Sequence, residues 1–170
     1  MYTKVNARCV SMIGVLVALE LVLSRFTIHT WNLKIGFGFV PVVVAAIFYG
    51  PLAAGLVGAI GDVLSAILFP VGAFFPGFTL TAFLTGVVFG IFLKKKQNPG
   101  NIVLSVVIVQ FVISQGINTF FISFLYGSPF VALFFTRIYQ TLIMSAVQFA
   151  GIVLISKKLI PVLRKYEEIR

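Results

Sequence analysis

Residues 69–85 read F-P-V-G-A-F-F-P-G-F-T-L-T-A-F-L-T and interrupt a chain that is apolar on both sides. Pro70, Gly72, Pro76 and Gly77 fall within this stretch, so a helix must stop, turn and begin again here. The stretch predicts a buried hairpin between two helices, lined by phenylalanine rings. Such a corner either binds a flat, partly polar ligand or is a helix connection packed by aromatic rings, and the residues alone leave both interpretations open.

The composition of the whole chain indicates a membrane protein. Of its 170 residues, 60% are hydrophobic and 10% are charged, whereas a soluble domain carries roughly 25% charged residues. A helix that crosses a hydrocarbon core of about 30 Å needs about 20 apolar residues. We therefore predict that residues 1–170 form one all-α integral-membrane domain of six transmembrane helices. No signal-peptide pattern precedes the first helix, which is expected to be retained.

Turn residues and charged residues separate the six predicted spans. The spans cover residues 9–23, 37–49, 51–68, 78–93, 102–125 and 131–155. Between the first two, residues 24–36 are polar and roughly alternating, which predicts an extended or irregular loop rather than a helix. The third span carries Ala54, Gly55, Gly58 and Gly61, small residues that predict close packing against neighbouring helices.

The distribution of basic residues predicts how the bundle sits in the membrane. Ten of the 13 basic residues lie on one side of it, namely Lys4, Arg8, Lys94, Lys95, Lys96, Lys157, Lys158, Arg164, Lys165 and Arg170. By the positive-inside rule this side is cytoplasmic, so both termini are expected inside and Arg25, Lys34 and Arg137 at the outer face. Because topology explains the net charge of +9, we expect contact with membrane lipid and none with nucleic acid.

Three groups of residues are expected to form a ligand site in the outer half of the bundle. They are the first-loop residues Arg25, Trp31 and Lys34, the hairpin residues Phe74, Phe78 and Thr79, and the helix-face residues Gln115, Asn118, Arg137 and Gln140. A ligand that suits them is partly flat and aromatic, has hydrogen-bonding edges and is anionic at one end. The alternatives are helix-to-helix hydrogen bonding for the polar faces and an interfacial anchor for Trp31.

Residues for enzymatic chemistry are scarce. The acidic residues are Glu20, Asp62, Glu167 and Glu168. No paired carboxylates, nucleophile elbow or phosphate-binding loop is present, and the lone His29 has no second ligand at metal-binding spacing. We expect no enzyme activity, no metal and no cofactor in this chain.

Asp62 lies about two turns inside the third span, where an unpaired carboxylate is costly. We expect it to be paired within the bundle, either with Arg137 or with backbone N–H groups near the hairpin. An intramembrane enzyme is disfavoured because Asp62 has no catalytic companion in the sequence.

Four sequence segments carry a family resemblance. They are Arg25-Phe26, F-V-P-V-V-V-A-A-I-F-Y-G-P-L-A-A-G at residues 39–55, G-D-V-L-S-A-I-L-F-P-V-G at residues 61–72, and F-F-P-G-F-T-L-T-A-F-L-T-G at residues 74–86. The chain resembles the folate-specific S-component of energy-coupling-factor (ECF) transporters. The resemblance implies a high-affinity folate-binding subunit of a bacterial vitamin importer in the cell membrane. It also implies that the subunit docks on a transmembrane coupling protein and that two cytosolic ATPase partners use the ATP.

The resemblance also places the docking residues on the first span, where S-components carry two small residues four apart. The nearest match is Gly14-x-x-x-Ala18, and its alternative is packing inside the bundle. Two other functions stay open: an S-component for another vitamin, and a stand-alone secondary transporter driven by a gradient. The second would commonly show an internal repeat, and the sequence shows none.

Overall fold

The computed structural model describes residues 7–26, 28–30, 33–70, 74–159 and 161. Its helices are α1 (Ala7–Arg25), α2 (Phe39–Phe48), α3 (Pro51–Leu68), α4 (Pro76–Leu93), α5 (Pro99–Val107), α6 (Thr119–Tyr126) and α7 (Phe130–Leu154). A π-helical segment, Ile108–Asn118, joins α5 to α6, and another, Ile155–Leu159, extends α7. Strands β1 (Ile28–Thr30) and β2 (Leu33–Ile35) form one short antiparallel hairpin between α1 and α2. The prediction of an all-α bundle is confirmed, with this hairpin as its one described β element.

Four helical segments in the described part of the chain are long and apolar enough to cross a membrane, judged by length and composition. They are Pro51–Leu68, Pro76–Leu93, Pro99–Tyr126 and Phe130–Lys158; below, the last two are called the fifth and sixth spans. Helix α1 has 19 residues. Helix α2 has 10 residues and is therefore about 15 Å long, roughly half the thickness of a hydrocarbon core. It is shorter than the span predicted over residues 37–49.

Proline and glycine set the helix boundaries. Pro51, Pro76 and Pro99 each begin a helix, a position where the missing N–H of proline leaves no bond unmade. Before Pro51, Gly50 has a φ of 93°, a conformation that glycine adopts without steric cost. Gly127, with a φ of 64°, ends α6 in the left-handed conformation typical of helix C-termini.

Helices α3 and α4 make the most extensive contact in the described bundle, and glycines allow it. A Cβ atom added at Gly58 would lie 2.7 Å from the backbone oxygen of Ala82. A Cβ atom at Gly86 would overlap the backbone carbonyl of Ala54. The predicted role of small residues in close packing is thus confirmed for this helix pair.

The apolar core occupies one end of the bundle. Its fully buried side chains include Val43, Val57, Phe89, Leu93 and Ile152, which come from α2, the first half of α3 and the ends of α4 and α7. At the other end α3 stops and α4 begins, and side chains there, such as Phe69 and Phe74, are about half exposed. The packed core therefore lies at one end of the bundle, and the side chains at the opposite end remain accessible to a ligand.

The β-hairpin lies at this open end. Its register pairs Ile28 with Ile35, His29 with Lys34 and Thr30 with Leu33, and β2 contacts α7. The predicted extended loop between the first two spans is confirmed for these strands.

Candidate functional site

A cavity of about 660 Å³ opens at the end of the bundle where α3 stops and α4 begins. Helices α3 and α4, the fifth and sixth spans, and residues between α3 and α4 form its walls. The lining residues are Asp62, Ser65, Ala66, Phe69, Phe74, Phe75, Phe78, Thr81, Ala82, Thr85, Asn118, Ile122, Tyr126, Arg137 and Gln140. Both its size and its mixture of apolar and a few polar groups are typical of small-molecule sites.

One face of α4 forms the floor of this cavity. Phe78, Thr81, Ala82 and Thr85 all line it, and their spacing of three and four residues places them on a single helical face. Helix α4 contacts both α3 and the π-helical segment. These two neighbours also contribute side chains to the cavity wall, among them Asp62 and Asn118.

Three phenylalanine rings pack edge to face beside the floor. The ring centroids of Phe75 and Phe78 are 5.8 Å apart, and those of Phe75 and Phe121 are 5.2 Å apart. Phe78 and Phe121 complete the triangle at 6.2 Å. Edge-to-face packing holds such rings in fixed orientations. Phe74, by contrast, is 54% exposed at the cavity. The segment before α4 therefore contributes one packed ring, Phe75, and one exposed ring, Phe74.

Asp62 is paired inside the bundle, as predicted, but with a different partner. The hydroxyl of Thr79 donates a hydrogen bond of 2.7 Å to Asp62 Oδ2. Within the described part of the chain Asp62 has no hydrogen bond to a backbone N–H and no ion pair with Arg137, so the predicted partners were wrong. Both Asp62 and Arg137 line the cavity, which places opposite charges on its walls.

Asn118 is held in place by α4. The hydroxyl of Thr81 lies 2.7 Å from Asn118 Oδ1 and 2.8 Å from the backbone oxygen of Phe78. Since Asn118 also lines the cavity, this contact fixes a primary amide at the wall. Gln140 and Arg137, from the sixth span, line the same cavity.

Gln115 joins two helices and does not line the cavity. Its side chain is 2% exposed. The amide nitrogen donates to the backbone oxygen of Phe134 at 2.6 Å, and the amide oxygen accepts from the Thr141 hydroxyl at 2.6 Å. The side-chain hydrogen bonds of Gln115 are therefore made to α7, and the hydroxyl of Thr79 donates to Asp62. The structure brings Phe74, Phe78, Asn118, Arg137 and Gln140 together, and it leaves these two side chains outside the cavity wall.

The first-loop residues differ in how far the structure describes them. The guanidinium carbon of Arg25 lies 3.7 Å from the centroid of the Phe69 ring, and Phe69 lines the cavity, so Arg25 is at its mouth. Trp31 lies outside the described residues. For Lys34 the backbone is described, in β2 and opposite His29.

The two predicted docking residues are exposed on α1. A Cβ atom added at Gly14 would meet no other atom within 4 Å, and Ala18 lies one turn further on the same helical face. Neither residue belongs to the apolar core.

No group of three or more metal-binding side chains occurs among the described residues. The polar side chains of the cavity are two amides, two threonine hydroxyls, one carboxylate and one guanidinium, together with Ser65 and Tyr126. This set suits hydrogen bonding to an organic ligand with charged or polar edges.

Comparison with known proteins decides the family. The family model for the substrate-specific component of ECF transporters matches residues 9–156. The chain belongs to this family. S-components are membrane subunits of transporters, so the chain is a transporter component rather than an enzyme, as predicted.

Individual relatives support the same assignment. The chain is 42% identical over 131 residues to the folate transporter FolT of Clostridium novyi (strain NT), and the aligned region covers 76% of each protein. It is 32% identical over 154 residues to the folate transporter FolT of Leuconostoc mesenteroides subsp. mesenteroides, covering 86% of this chain and 83% of the relative.

Two solved structures share the fold. A crystal structure of FolT bound with folic acid superposes with a TM-score of 0.83 at 32% identity, covering 90% of this chain and 95% of that one. The S component of a bacterial ECF transporter superposes with a TM-score of 0.72 at 22% identity, covering 92% and 97%. At that lower identity the likeness concerns the fold alone.

Asp62 was expected only as a residue paired within the bundle, and it also lines the cavity. Its depth in an apolar span was recognised, and such a carboxylate is by default a candidate functional group. Phe75 belongs to the same hairpin as the predicted Phe74 and Phe78, but its ring packs between Phe78 and Phe121. That packing depends on a residue from the fifth span and could not be derived from the hairpin sequence.

Proposed function

We propose that this S-component binds folate in the cavity between α3, α4 and the fifth and sixth spans. The supporting observation is the chemistry of the wall, which combines aromatic rings, primary amides and a guanidinium in one space. Folate contains a pterin with a hydrogen-bonding edge, an aminobenzoate ring and a glutamate with two carboxylates, so its parts match these groups. The names of the two relatives and of the ligand-bound structure agree with this substrate.

The pterin lies deepest in the proposed complex. A neutral head group is cheaper to remove from water than two carboxylates, and Asn118 and Gln140 offer amides on the cavity wall. Phe74 and Phe78 flank the rings by stacking or edge contacts. Gln115 and Thr79 act indirectly, since their hydrogen bonds go to α7 and to Asp62.

The glutamate of folate lies at the mouth of the cavity. Arg25 is exposed there beside Phe69, and Arg137 contributes a second guanidinium to the wall. Trp31 and Lys34 belong to the loop between α1 and α2 and are proposed to cover this end of the ligand. Solvent screening makes each contact to a carboxylate modest at such a position.

We further propose that the cavity faces the outside of a bacterial cell membrane, with both chain termini in the cytoplasm. The excess of basic residues at the opposite end supports this orientation. Gly14 and Ala18, exposed on α1, form the face that docks on a transmembrane coupling protein. Two cytosolic ATPases supply the energy, because this chain carries no ATP-binding motif.

Reconstitution into proteoliposomes tests this function. The chain alone is expected to bind folic acid without accumulating it, and addition of the coupling protein, the two ATPases and ATP is expected to start uptake. Accumulation by the isolated chain along an ion gradient would instead show a secondary transporter. Uptake of a different vitamin, with folic acid inactive, would show an S-component of another specificity.

A further inference from the structure

We propose that Asp62 is the residue that selects the amino edge of the pterin, with Thr79 as the residue that positions it. This inference rests on the proposed folate-binding function and assigns one specificity-determining contact within that site.

The carboxylate of Asp62 is oriented and still has a free acceptor. One oxygen, Oδ2, accepts the Thr79 hydroxyl at 2.7 Å. The other oxygen, Oδ1, has no hydrogen bond in the part of the chain that the structure describes, although Asp62 lines the cavity. A carboxylate has about four lone-pair sites and accepts two parallel N–H donors readily. Asp62 therefore presents a charged acceptor edge to a ligand.

Asn118, which contacts Thr81 of α4, offers the complementary donor. Its amide contacts the hydroxyl of Thr81 at 2.7 Å. If that hydroxyl donates to Oδ1, both amide N–H groups are left for a ligand. If the amide donates to the hydroxyl instead, one N–H is left. In either orientation Asn118 retains a donor, because its amide has no other hydrogen bond among the described residues.

The donor and acceptor order of a pterin matches this pair. Its 2-amino group and N3–H are adjacent donors, and the O4 carbonyl beside them is an acceptor. A carboxylate receives the two donors together, and an amide N–H donates to O4. Asp62 on α3 and Asn118 on the fifth span both line the cavity, and each contacts a threonine hydroxyl of α4, so we place the ring edge between them.

Charge makes the Asp62 contact the selective one. Hydrogen bonds to an ionised group are stronger than neutral ones. A ligand without the 2-amino donor leaves part of this half-buried charge unpaired, which a site built for that donor rejects strongly. We therefore expect discrimination by Asp62 to be larger than discrimination by either cavity amide.

Binding of paired ligands to purified variants tests the proposal. The ligands are folic acid and its analogue with a methyl group in place of the 2-amino group, and each dissociation constant is measured by titration calorimetry. The native chain is expected to prefer folic acid by about 10- to 100-fold. Asp62→Asn, which keeps the shape and removes the charge, is expected to reduce that preference to about threefold or less.

Two further variants make the result specific. Glu168→Gln is the same carboxyl-to-amide change in the C-terminal segment, which is proposed to be cytoplasmic, and it is expected to keep the full preference. Thr79→Val removes the hydroxyl that orients Asp62, and it is expected to lower the preference while the ratio between folic acid and pteroate stays unchanged.

The outcomes distinguish a failure of the Asp62 role from a failure of the folate assignment. Equal binding of both ligands by the native chain overturns the role of Asp62 while folate binding stands, and so does a full preference in Asp62→Asn. If Asp62→Asn does not fold, the native preference and the Thr79→Val variant decide. Failure of the native chain to bind folic acid overturns the proposed function and this inference together.

Discussion

The guanidinium carbon of Arg25 lies 3.7 Å from the centroid of the Phe69 ring, so the last residue of α1 covers the cavity wall at the end of α3. A cation over an aromatic ring at an exposed position contributes about 0.5–1 kcal/mol. This contact favours the position of Arg25 beside Phe69 and does not neutralise its charge. Arg25 thus remains available to a ligand carboxylate.

Arg25→Ala is expected to weaken folic acid by about two- to fivefold, because an exposed ion pair contributes up to about 1 kcal/mol. Pteroate, which lacks the glutamate, is expected to lose much less. Arg25→Lys keeps the charge and serves as the control. Equal losses for the two ligands, measured by titration calorimetry, would place Arg25 against the rings instead of the glutamate.

Asn118→Ala is expected to weaken folic acid and pteroate alike, since both carry the pterin. Loss of one hydrogen bond in the cavity corresponds to about 0.5–1.5 kcal/mol, or about 2- to 12-fold in the dissociation constant. An effect on folic acid alone would reverse the proposed orientation of the ligand.

Gln115→Leu is expected to lower stability and leave the affinity for folate nearly unchanged. It removes two buried contacts to α7, with Phe134 and Thr141, each contributing about 0.6 kcal/mol in a membrane bundle. Thermal unfolding in detergent measures the first effect, and folate titration of the same sample measures the second. A large loss of affinity in a variant of normal stability would show that Gln115 contacts the ligand.

Gly86→Ala is expected to destabilise the bundle by about 1–3 kcal/mol. Its Cβ atom would overlap the backbone of Ala54, and backbone atoms of a packed helix cannot move aside cheaply. Gly14→Ala is the matched control, because its Cβ atom would meet nothing within 4 Å. Equal melting temperatures for the two variants would contradict the close approach of α3 and α4.

Ala18→Leu is expected to leave folate binding intact and to abolish ATP-driven uptake, because it enlarges the proposed docking face. Gly14→Leu is expected to act in the same way. Ala146→Leu is the control, since Ala146 is an exposed alanine on another helix, α7. Loss of folate binding in parallel with uptake would show that the Gly14 and Ala18 positions serve the fold.

Local signals predicted most of the helix boundaries. Gly50-Pro51 and Pro76 stop and start helices through their own backbone restrictions, so hydropathy and turn residues were sufficient there. The short α2 and the pairing of β1 with β2 depend on tertiary contacts. The π-helical segment Ile108–Asn118 also depends on its surroundings and carries no simple pattern in the sequence.

Polarity and position along a span were enough to predict several residues that line the cavity. Asn118, Arg137 and Gln140 lie near the same end of two adjacent spans and do reach the cavity. Gln115 does not, because i→i+5 hydrogen bonding changes the angle between successive side chains and the structure directs it to α7. The partner of Asp62 was missed because a hydroxyl on the next helix, Thr79, has no signature that distinguishes it from other threonines.

Titration of the purified chain with folic acid tests the central claim most directly. The account predicts saturable one-to-one binding of folic acid by this chain alone, without coupling protein, ATPases or ATP, and no binding of riboflavin or thiamine. Absence of folic acid binding by a folded sample, or equal binding of an unrelated vitamin, would contradict the account.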